Sequence, residues 1–131
     1  MIKPNPKELI NYRIRQAKET VSEVKILIEN NLLKIAVNRI YYGMFYMVLA
    51  LATKYNYQTS KHQQLIGWFN KNFVKTGKID PTYGKMINDA FENRADSDYG
   101  VFVEFSAKDL SIMSNELESF IKELEKHIMN Q

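Results

Sequence analysis

The chain is built from apolar stretches with helical spacing, separated by short polar segments. In the first stretch the apolar residues alternate spacings of four and three, which places them on one face of a helix. They are Ile10, Ile14, Ala17, Val21, Val24 and Ile28. Asn5 is a favourable N-cap, Pro6 suits the first helical position, and Glu8 completes a spacing like that of a capping box. The pattern predicts a first helix from Asn5 to about Asn30.

The second predicted helix, from about Leu32 to Tyr55, differs because apolar side chains nearly encircle its second half, Met44 to Ala52. A helix that is apolar on all sides lies in the middle of a bundle. Its first half carries polar or amphipathic side chains that must find partners if the helix is central. They are Asn38, Arg39, Tyr41 and Tyr42.

The apolar run within this second helix is short. It covers residues 40–52, which is 13 residues, whereas a membrane-spanning helix needs roughly 20. We therefore expect a buried core helix and no membrane partner. The polar, proline-containing N-terminus also lacks the pattern of a secretion signal, so we expect a cytoplasmic protein.

Three more helices are predicted after the second one. Ser60 and Gln63 have the spacing of a capping box, which would open a third helix. Gly77 marks the turn within the loop that follows, residues 76–79. Asp80 and Pro81 then form a favourable start for a fourth helix.

The fifth helix follows a predicted linker, residues 96–105. Ser106 and Asp109 are placed to cap this helix, which runs to about Met129 on its apolar face. No segment shows the alternation typical of a strand. The sequence thus predicts an all-α fold, an up-and-down antiparallel bundle of about five helices with a four-helix core and one short helix.

Composition and length agree with one domain over residues 1–131. A chain of 131 residues can bury its own core, and 45% hydrophobic with 25% charged residues is ordinary for a globular protein. The absence of cysteine excludes disulfides, thiolate metal sites and cysteine nucleophiles. His62 and His127 are the only histidines and show no metal-ligand spacing. We expect neither a metal nor a cofactor.

Charge is distributed unevenly along the chain, although the net charge is only +3. No Asp or Glu occurs from Asn30 to Ile79, a segment that carries seven basic residues. They are Lys34, Arg39, Lys54, Lys61, Lys71, Lys75 and Lys78. This segment could form a positive face toward nucleic acid or a phosphate. The alternative is an ordinary solvated surface with a chance gap in acidic residues.

Three sequence blocks together resemble the HEPN family, the domain of higher eukaryotes and prokaryotes associated with nucleotide binding. The first block is NRIYYGMF at residues 38–45. The second combines KHQQLI at 61–66 with FNKNFVKTG at 69–77, and the third is NRADSDY at 93–99. Their order and spacing are similar to the small stand-alone prokaryotic members, over nearly the whole chain.

The resemblance implies a helical bundle that pairs as a homodimer, with polar residues of both protomers near the interface. It also implies binding of a nucleotide or RNA. Many active family members are metal-independent ribonucleases of toxin-antitoxin and defence systems. Prokaryotic members are often encoded beside a minimal nucleotidyltransferase, which is therefore an expected partner.

The resemblance does not extend to the complete ribonuclease signature of the family. Arg94 matches the arginine, but Ala95 occupies a position where a polar residue is expected. The positions available to the histidine hold Tyr99, Gly100 and Val101. Tyrosine, with an ordinary pKa of about 10, is roughly 0.1% ionised at pH 7 and is a poor general base. We therefore expect the standard ribonuclease chemistry to be absent.

The candidate site for a nucleotide or RNA comes from the first and third blocks. It comprises Asn38, Arg39, Tyr42, Arg94, Asp98 and Tyr99. Asn38 and Tyr42 share a helix face, and Arg94 can form an ion pair with Asp98 four residues later. We expect Asn38, Tyr42 and Arg94 to converge on one small cavity. The alternative is a buried polar network that fixes helix register, with Tyr41 and its neighbouring aromatic residues only packing.

Three functions follow as hypotheses. The leading one is a dimeric protein that binds RNA or a nucleotide, acts with a nucleotidyltransferase-type partner and lacks the standard ribonuclease histidine. The second is a ribonuclease toxin in which Arg94 acts with Tyr99 or His62, although a histidine near a helix start is more often a surface or capping residue. The third is a structural module that binds another protein.

Overall fold

The computed structural model describes residues 5–98 and 104–130 of the chain. Within these ranges it contains five α-helices and no strand, which confirms the all-α prediction. The helices are α1 (Pro6–Glu29), α2 (Leu33–Lys54), α3 (His62–Phe69), α4 (Pro81–Asp98) and α5 (Ala107–Met129). A single π-helical turn, Asn70–Val74, continues α3.

The first and last helices begin where their capping residues predict. The Asn5 side chain accepts a hydrogen bond of 2.8 Å from the Glu8 backbone N–H. At α5, Ser106 and Asp109 each accept from the other's backbone N–H at 3.0 Å, which is a complete capping box. These bonds satisfy backbone donors that have no partner inside the helix.

The prediction that Ser60 and Gln63 cap α3 is wrong. The N-cap of α3 is Lys61, which makes no side-chain capping bond. Instead, the hydroxyl of Thr59 accepts a hydrogen bond from the Lys61 N–H (3.2 Å) and donates to Gln64 Oε1 (2.8 Å). The hydroxyl of Thr59, the residue before Ser60, thus organises the turn. The helix starts later than the spacing of Ser60 and Gln63 suggests.

Helix α4 starts as predicted but ends later. Asp80 Oδ1 accepts from both the backbone N–H and the hydroxyl of Thr82, at 2.8 and 2.6 Å. The helix continues to Asp98, so the linker predicted to begin at residue 96 begins beyond residue 98. An ion pair between Arg94 and Asp98, one turn apart, supports the final turn. Residues 99–103 of the predicted linker lie outside the described residues.

Helix α2 lies at the centre of the bundle, as its apolar circumference predicts. It packs against α1 and α5 on one side and against α3 and α4 on the other. By length and composition α2 could cross a membrane, but 67% of its most apolar 18-residue window is buried inside the bundle. Such burial is what a central core helix requires.

Close packing around α2 depends on Gly43, which faces α1 and α5. A Cβ atom at this position would lie 2.7 Å from Leu117 Cδ1 and closer still to Thr20 Oγ1. Both neighbours are buried, and the Thr20 hydroxyl is fixed by a 2.6 Å hydrogen bond to the Ala17 carbonyl. The absence of a side chain therefore lets three helices meet at one level of the core.

We expect Gly43→Ala to lower the free energy of unfolding by about 1–3 kcal/mol, because the added methyl group must displace buried atoms. Gly67→Ala is the matched control, since Gly67 is exposed on α3 and its added Cβ would contact nothing within 4 Å. That change should stabilise by up to about 1 kcal/mol through helix propensity. Urea unfolding followed by circular dichroism measures both. Equal effects of the two substitutions would contradict the packing argument.

Candidate functional site

Three helices bring polar and aromatic side chains together at one end of the α3–α4 pair. Helix α2 contributes from its first half, α3 from its first residue and α4 from its last turns. We call this group the Arg94 cluster. It consists of Tyr41, Tyr42, Phe45, His62, Arg94 and Asp98.

The guanidinium of Arg94 is held between two tyrosine rings and a carboxylate. Its Cζ lies 5.6 Å from the ring centroid of Tyr41 and 5.5 Å from that of Tyr42. One terminal nitrogen donates to the Tyr42 hydroxyl at 3.3 Å. Nε lies 3.0 Å from Asp98 Oδ2, but it is a buried donor without an aligned hydrogen bond among the described residues. The predicted ion pair with Asp98 is thus confirmed in distance and is mainly an attraction between charges.

This arrangement fixes a cation without using all of its donors. Arg94 has five N–H groups, and its contacts with Tyr42 and Asp98 occupy a minority of them. The side chain is 22% exposed, so part of the guanidinium can contact a ligand. Positive charge over aromatic rings is favourable and keeps the group in place. A planar guanidinium of this kind is suited to binding phosphate.

His62 belongs to the same cluster and is neither a freely exposed residue nor a helix cap. Its ring stacks on Phe45 with centroids 4.1 Å apart, and its Nδ1 lies 2.7 Å from the Tyr41 hydroxyl. Burial, reinforced by the positive charge of Arg94, lowers the pKa of His62. The imidazole is therefore neutral at pH 7.

Tyr41 connects His62 to Arg94. Its side chain is completely buried, and burial raises the pKa of its phenol well above the usual range. The phenol stays protonated at any physiological pH. If it donates to His62 Nδ1, then Nε2 carries the imidazole proton. In the other tautomer Nδ1–H donates to the phenol oxygen and Nε2 can accept a proton from a ligand.

The remaining predicted site residues are Arg39, Asn38 and Tyr99. Arg39 lies on the other side of Tyr42, with Cζ 5.9 Å from the ring centroid and a terminal nitrogen 3.5 Å from Glu23 Oε1. Asn38 is half-buried one turn before Tyr42 and makes no hydrogen bond from its side chain to another described residue. Tyr99 lies outside the described residues. Tyr42 and Arg94 thus meet directly, and the convergence of Asn38 with them stays a prediction.

Tyr41 belongs to the Arg94 cluster but not to the predicted binding residues, although it is among the side chains predicted to need partners. The sequence signal for its contact was the position of a tyrosine on a central helix, where a buried hydroxyl needs a hydrogen-bond partner. That partner, His62, is 21 positions away in the chain, which is too far for helical spacing to reveal. Within residues 5–98 and 104–130, no three His, Asp or Glu side chains are grouped so that they could hold a metal ion.

Comparison with known proteins gives the same family as the sequence blocks. Residues 10–128 match the family model described as the HEPN domain. A UPF0332 protein of Thermotoga maritima is 42% identical over 125 residues, which cover 95% of both chains. Two proteins of Methanocaldococcus jannaschii named as candidate toxins are also similar. One is 27% identical over 118 residues (90% of this chain, 80% of the relative) and the other 38% over 93 residues (71% and 69%).

The lowered pKa of His62 predicts a pH dependence of stability. Below the ordinary histidine pKa of about 6.5, His62 binds a proton in the unfolded chain more readily than in the folded chain. The free energy of unfolding therefore falls as pH falls. His62→Phe keeps a ring on Phe45 but removes the titration. We expect its stability to decline less steeply than that of the wild type between about pH 7.5 and about pH 5.5, a window around that value.

His127→Phe is the control for this measurement. His127 lies on α5 beside Glu123 and outside the Arg94 cluster, so this substitution leaves the contacts of His62 intact and should keep the wild-type slope. Denaturant unfolding at several pH values supplies the slopes. Identical slopes for His62→Phe and the wild type would show that the His62 ring is protonated as easily in the folded chain as in the unfolded one.

Proposed function

Because this chain belongs to the HEPN domain family, we propose that it binds RNA or a nucleotide through the Arg94 cluster. The observation that carries this proposal is the partly exposed guanidinium of Arg94, held over the rings of Tyr41 and Tyr42 with N–H donors to spare. Phosphate contacts of this kind supply most of the affinity of RNA-binding proteins. The partly exposed ring of Tyr42 adds surface on which a base can stack.

A second guanidinium beside the cluster supports an anionic ligand. Arg39 packs against Tyr42 from another side, and its Nε is likewise buried without a hydrogen-bond partner among the described residues. Two cations near one ring repel each other unless negative charge lies nearby. Each cation has one carboxylate beside it, Glu23 for Arg39 and Asp98 for Arg94. Neither carboxylate occupies all five N–H donors of its guanidinium, so donors remain for a phosphate.

The proposal includes a homodimer in the cytoplasm and a nucleotidyltransferase-type partner, in a system of the toxin-antitoxin kind. Support comes from the family and from the toxin names of the two archaeal relatives. A gene for a minimal nucleotidyltransferase beside this one would strengthen the partner proposal, and an unrelated neighbour would weaken it. Light scattering tests the dimer against the 15.4 kDa mass of one chain; a monomeric mass would contradict it.

Arg94→Ala should weaken binding of a labelled oligoribonucleotide by about 10- to 100-fold, since one charge-assisted hydrogen bond is worth about 1.5–3 kcal/mol. Fluorescence anisotropy at several salt concentrations measures the affinity. Wild-type affinity should fall as salt rises, because phosphate contacts release counterions.

Arg15→Ala is the matched control, as Arg15 is exposed on α1 and its loss changes the net charge equally. Arg94→Lys separates charge from geometry, because lysine keeps the charge but not the planar set of donors. Circular dichroism checks that each variant is folded. Equal affinities of Arg94→Ala and Arg15→Ala would reject the Arg94 cluster as the binding site. A salt-resistant dimer that binds no RNA or nucleotide would favour the protein-interaction module instead.

The second candidate function is ribonuclease activity, and the position of His62 favours it. The neutral imidazole lies on Tyr41, the same residue that Arg94 contacts. Nε2 could take the proton of a ribose 2′-hydroxyl, whose oxygen then attacks the adjacent phosphorus. Arg94 would stabilise the negative charge on the phosphate. The 5′-oxygen of the next nucleotide leaves and takes a proton from water, which yields a 2′,3′-cyclic phosphate and a 5′-hydroxyl, and His62 returns its proton to the solvent.

Incubation of the pure protein with total RNA and a metal chelator tests this candidate. Cleavage should be lost in Arg94→Ala and reduced by about 10²- to 10⁴-fold in His62→Gln, the range of general acid–base catalysis. Equal cleavage by wild type and both variants would identify a contaminating nuclease. Intact RNA that nevertheless binds the wild type would leave binding as the function and exclude cleavage.

A further inference from the structure

Helices α3 and α4 run side by side in opposite directions. Helix α3 begins at the Arg94 cluster, and α4 ends there. At the cluster end, His62 and Arg94 both contact Tyr41. At the other end, the Asn70 side chain donates to Asn88 Oδ1 at 3.3 Å. Gly84 allows this approach, since a Cβ there would lie 2.8 Å from Asn70 Oδ1. The outer surface of the α3–α4 pair therefore extends from the Arg94 cluster to this contact.

This surface ends in an open groove of about 560 Å³ between the end of α3 with its π-helical turn and the start of α4. We call it the α3–α4 groove. Its lining is mixed in polarity and contains three lysines. The side chains that matter here are Asn70, Lys71, Lys75, Lys85 and Asn88.

The positive charge of the groove is concentrated on one wall. Lys85 on α4 is paired with Asp89 at 2.6 Å, and Glu92 and Glu116 also act on it. Lys71 and Lys75 are exposed and form no ion pair with any acidic residue in the described part of the chain. The wall formed by the π-helical turn thus carries two unneutralised cations.

The two lysines lie four residues apart, one within the π-helical turn and one just after it. The Lys75 N–H donates to the carbonyl of Asn70, five residues earlier, at 2.8 Å. This wider turn leaves residues four apart on nearly the same face. π-Helical turns are also frequent at functional sites. Lys71 and Lys75 both line the groove as a result.

The length of the surface matches a short stretch of RNA. Nine positions separate His62 from Lys71 and also Lys85 from Arg94, which corresponds to about 14 Å at about 1.5 Å per residue. A stacked strand advances about 3.4 Å per nucleotide, so about four nucleotides span this distance. A mononucleotide could not reach both places.

We propose that the α3–α4 groove binds backbone phosphates of a single RNA strand whose other end occupies the Arg94 cluster. Lys71 and Lys75 contact the phosphates as point charges, and the amides of Asn70 and Asn88 supply donors and acceptors for sugar or base atoms. This inference rests on the proposed function. It adds the class of ligand, a strand of several nucleotides, and the path that the strand takes.

The test is binding of a labelled ten-nucleotide RNA, a length of about twice the span, by Lys71→Gln/Lys75→Gln. The affinity should fall, and the slope of log K against log salt should become shallower by about 1.4, since each phosphate contact on a single strand contributes about 0.7. A dinucleotide, too short to reach the groove, should bind this variant and the wild type equally.

Lys18→Gln/Lys122→Gln is the matched control, because it removes the same charge from the face formed by α1 and α5. An equal loss of affinity in both double variants, or an unchanged salt slope in Lys71→Gln/Lys75→Gln, would overturn the groove. Duplex DNA bound as well as RNA, with the same lysine dependence, would overturn the single-strand assignment.

Arg94→Ala in the same assay separates this inference from the proposed function. Loss of binding in Arg94→Ala alone rejects the groove and keeps the cluster. Loss in the lysine variant alone keeps the groove as an RNA-binding surface and rejects the cluster. Both lysines are exposed, so their replacement should leave the circular dichroism spectrum unchanged.

Discussion

The burial of α2 on all sides is the constraint on which the other features of this protein depend. Four helices surround it, and at Gly43 the absence of a side chain lets α1 and α5 approach at one level. The hydroxyl of Tyr41, in the first half of α2, is fully buried and must then find a partner inside the protein, since water cannot reach it. The packing of the core thereby determines where the polar side chains of the bundle gather.

The Arg94 cluster is the result of that requirement. The buried hydroxyl of Tyr41 meets His62, and the ring of Tyr41 together with that of Tyr42 holds Arg94. The same burial keeps the phenol protonated and the imidazole neutral, because both charged forms are poorly solvated there. The need of the buried Tyr41 hydroxyl for a partner therefore produces a site that combines a neutral imidazole with a fixed guanidinium. The structural interpretation and the functional one therefore describe the same contacts, and only ligand binding and catalysis separate them.

The ribonuclease signature of the family and the structure of this chain place a histidine at different positions. The ribonuclease signature of the family expects a histidine shortly after Arg94, where this chain has none. The bundle brings His62 to the same phenol from the start of α3 instead. The basic residues also divide in two: arginines flank Tyr42, while lysines gather at the far end of α3. The distance between the two regions is the reason why the ligand that we propose for both is a strand and not a free nucleotide.

The sequence by itself determined the helices, their caps at Asn5 and Ser106, the central position of α2 and the pairing of Arg94 with Asp98. These features are local, because they depend on residues within about one turn or on the periodicity of one helix. Only the tertiary structure decided that His62 contacts Tyr41, that Arg94 lies over the rings of Tyr41 and Tyr42, and that Lys71 and Lys75 line a groove with α4. Each of these depends on how separate helices are placed around α2, and helical spacing carries no information about the angle and register at which two distant segments pack.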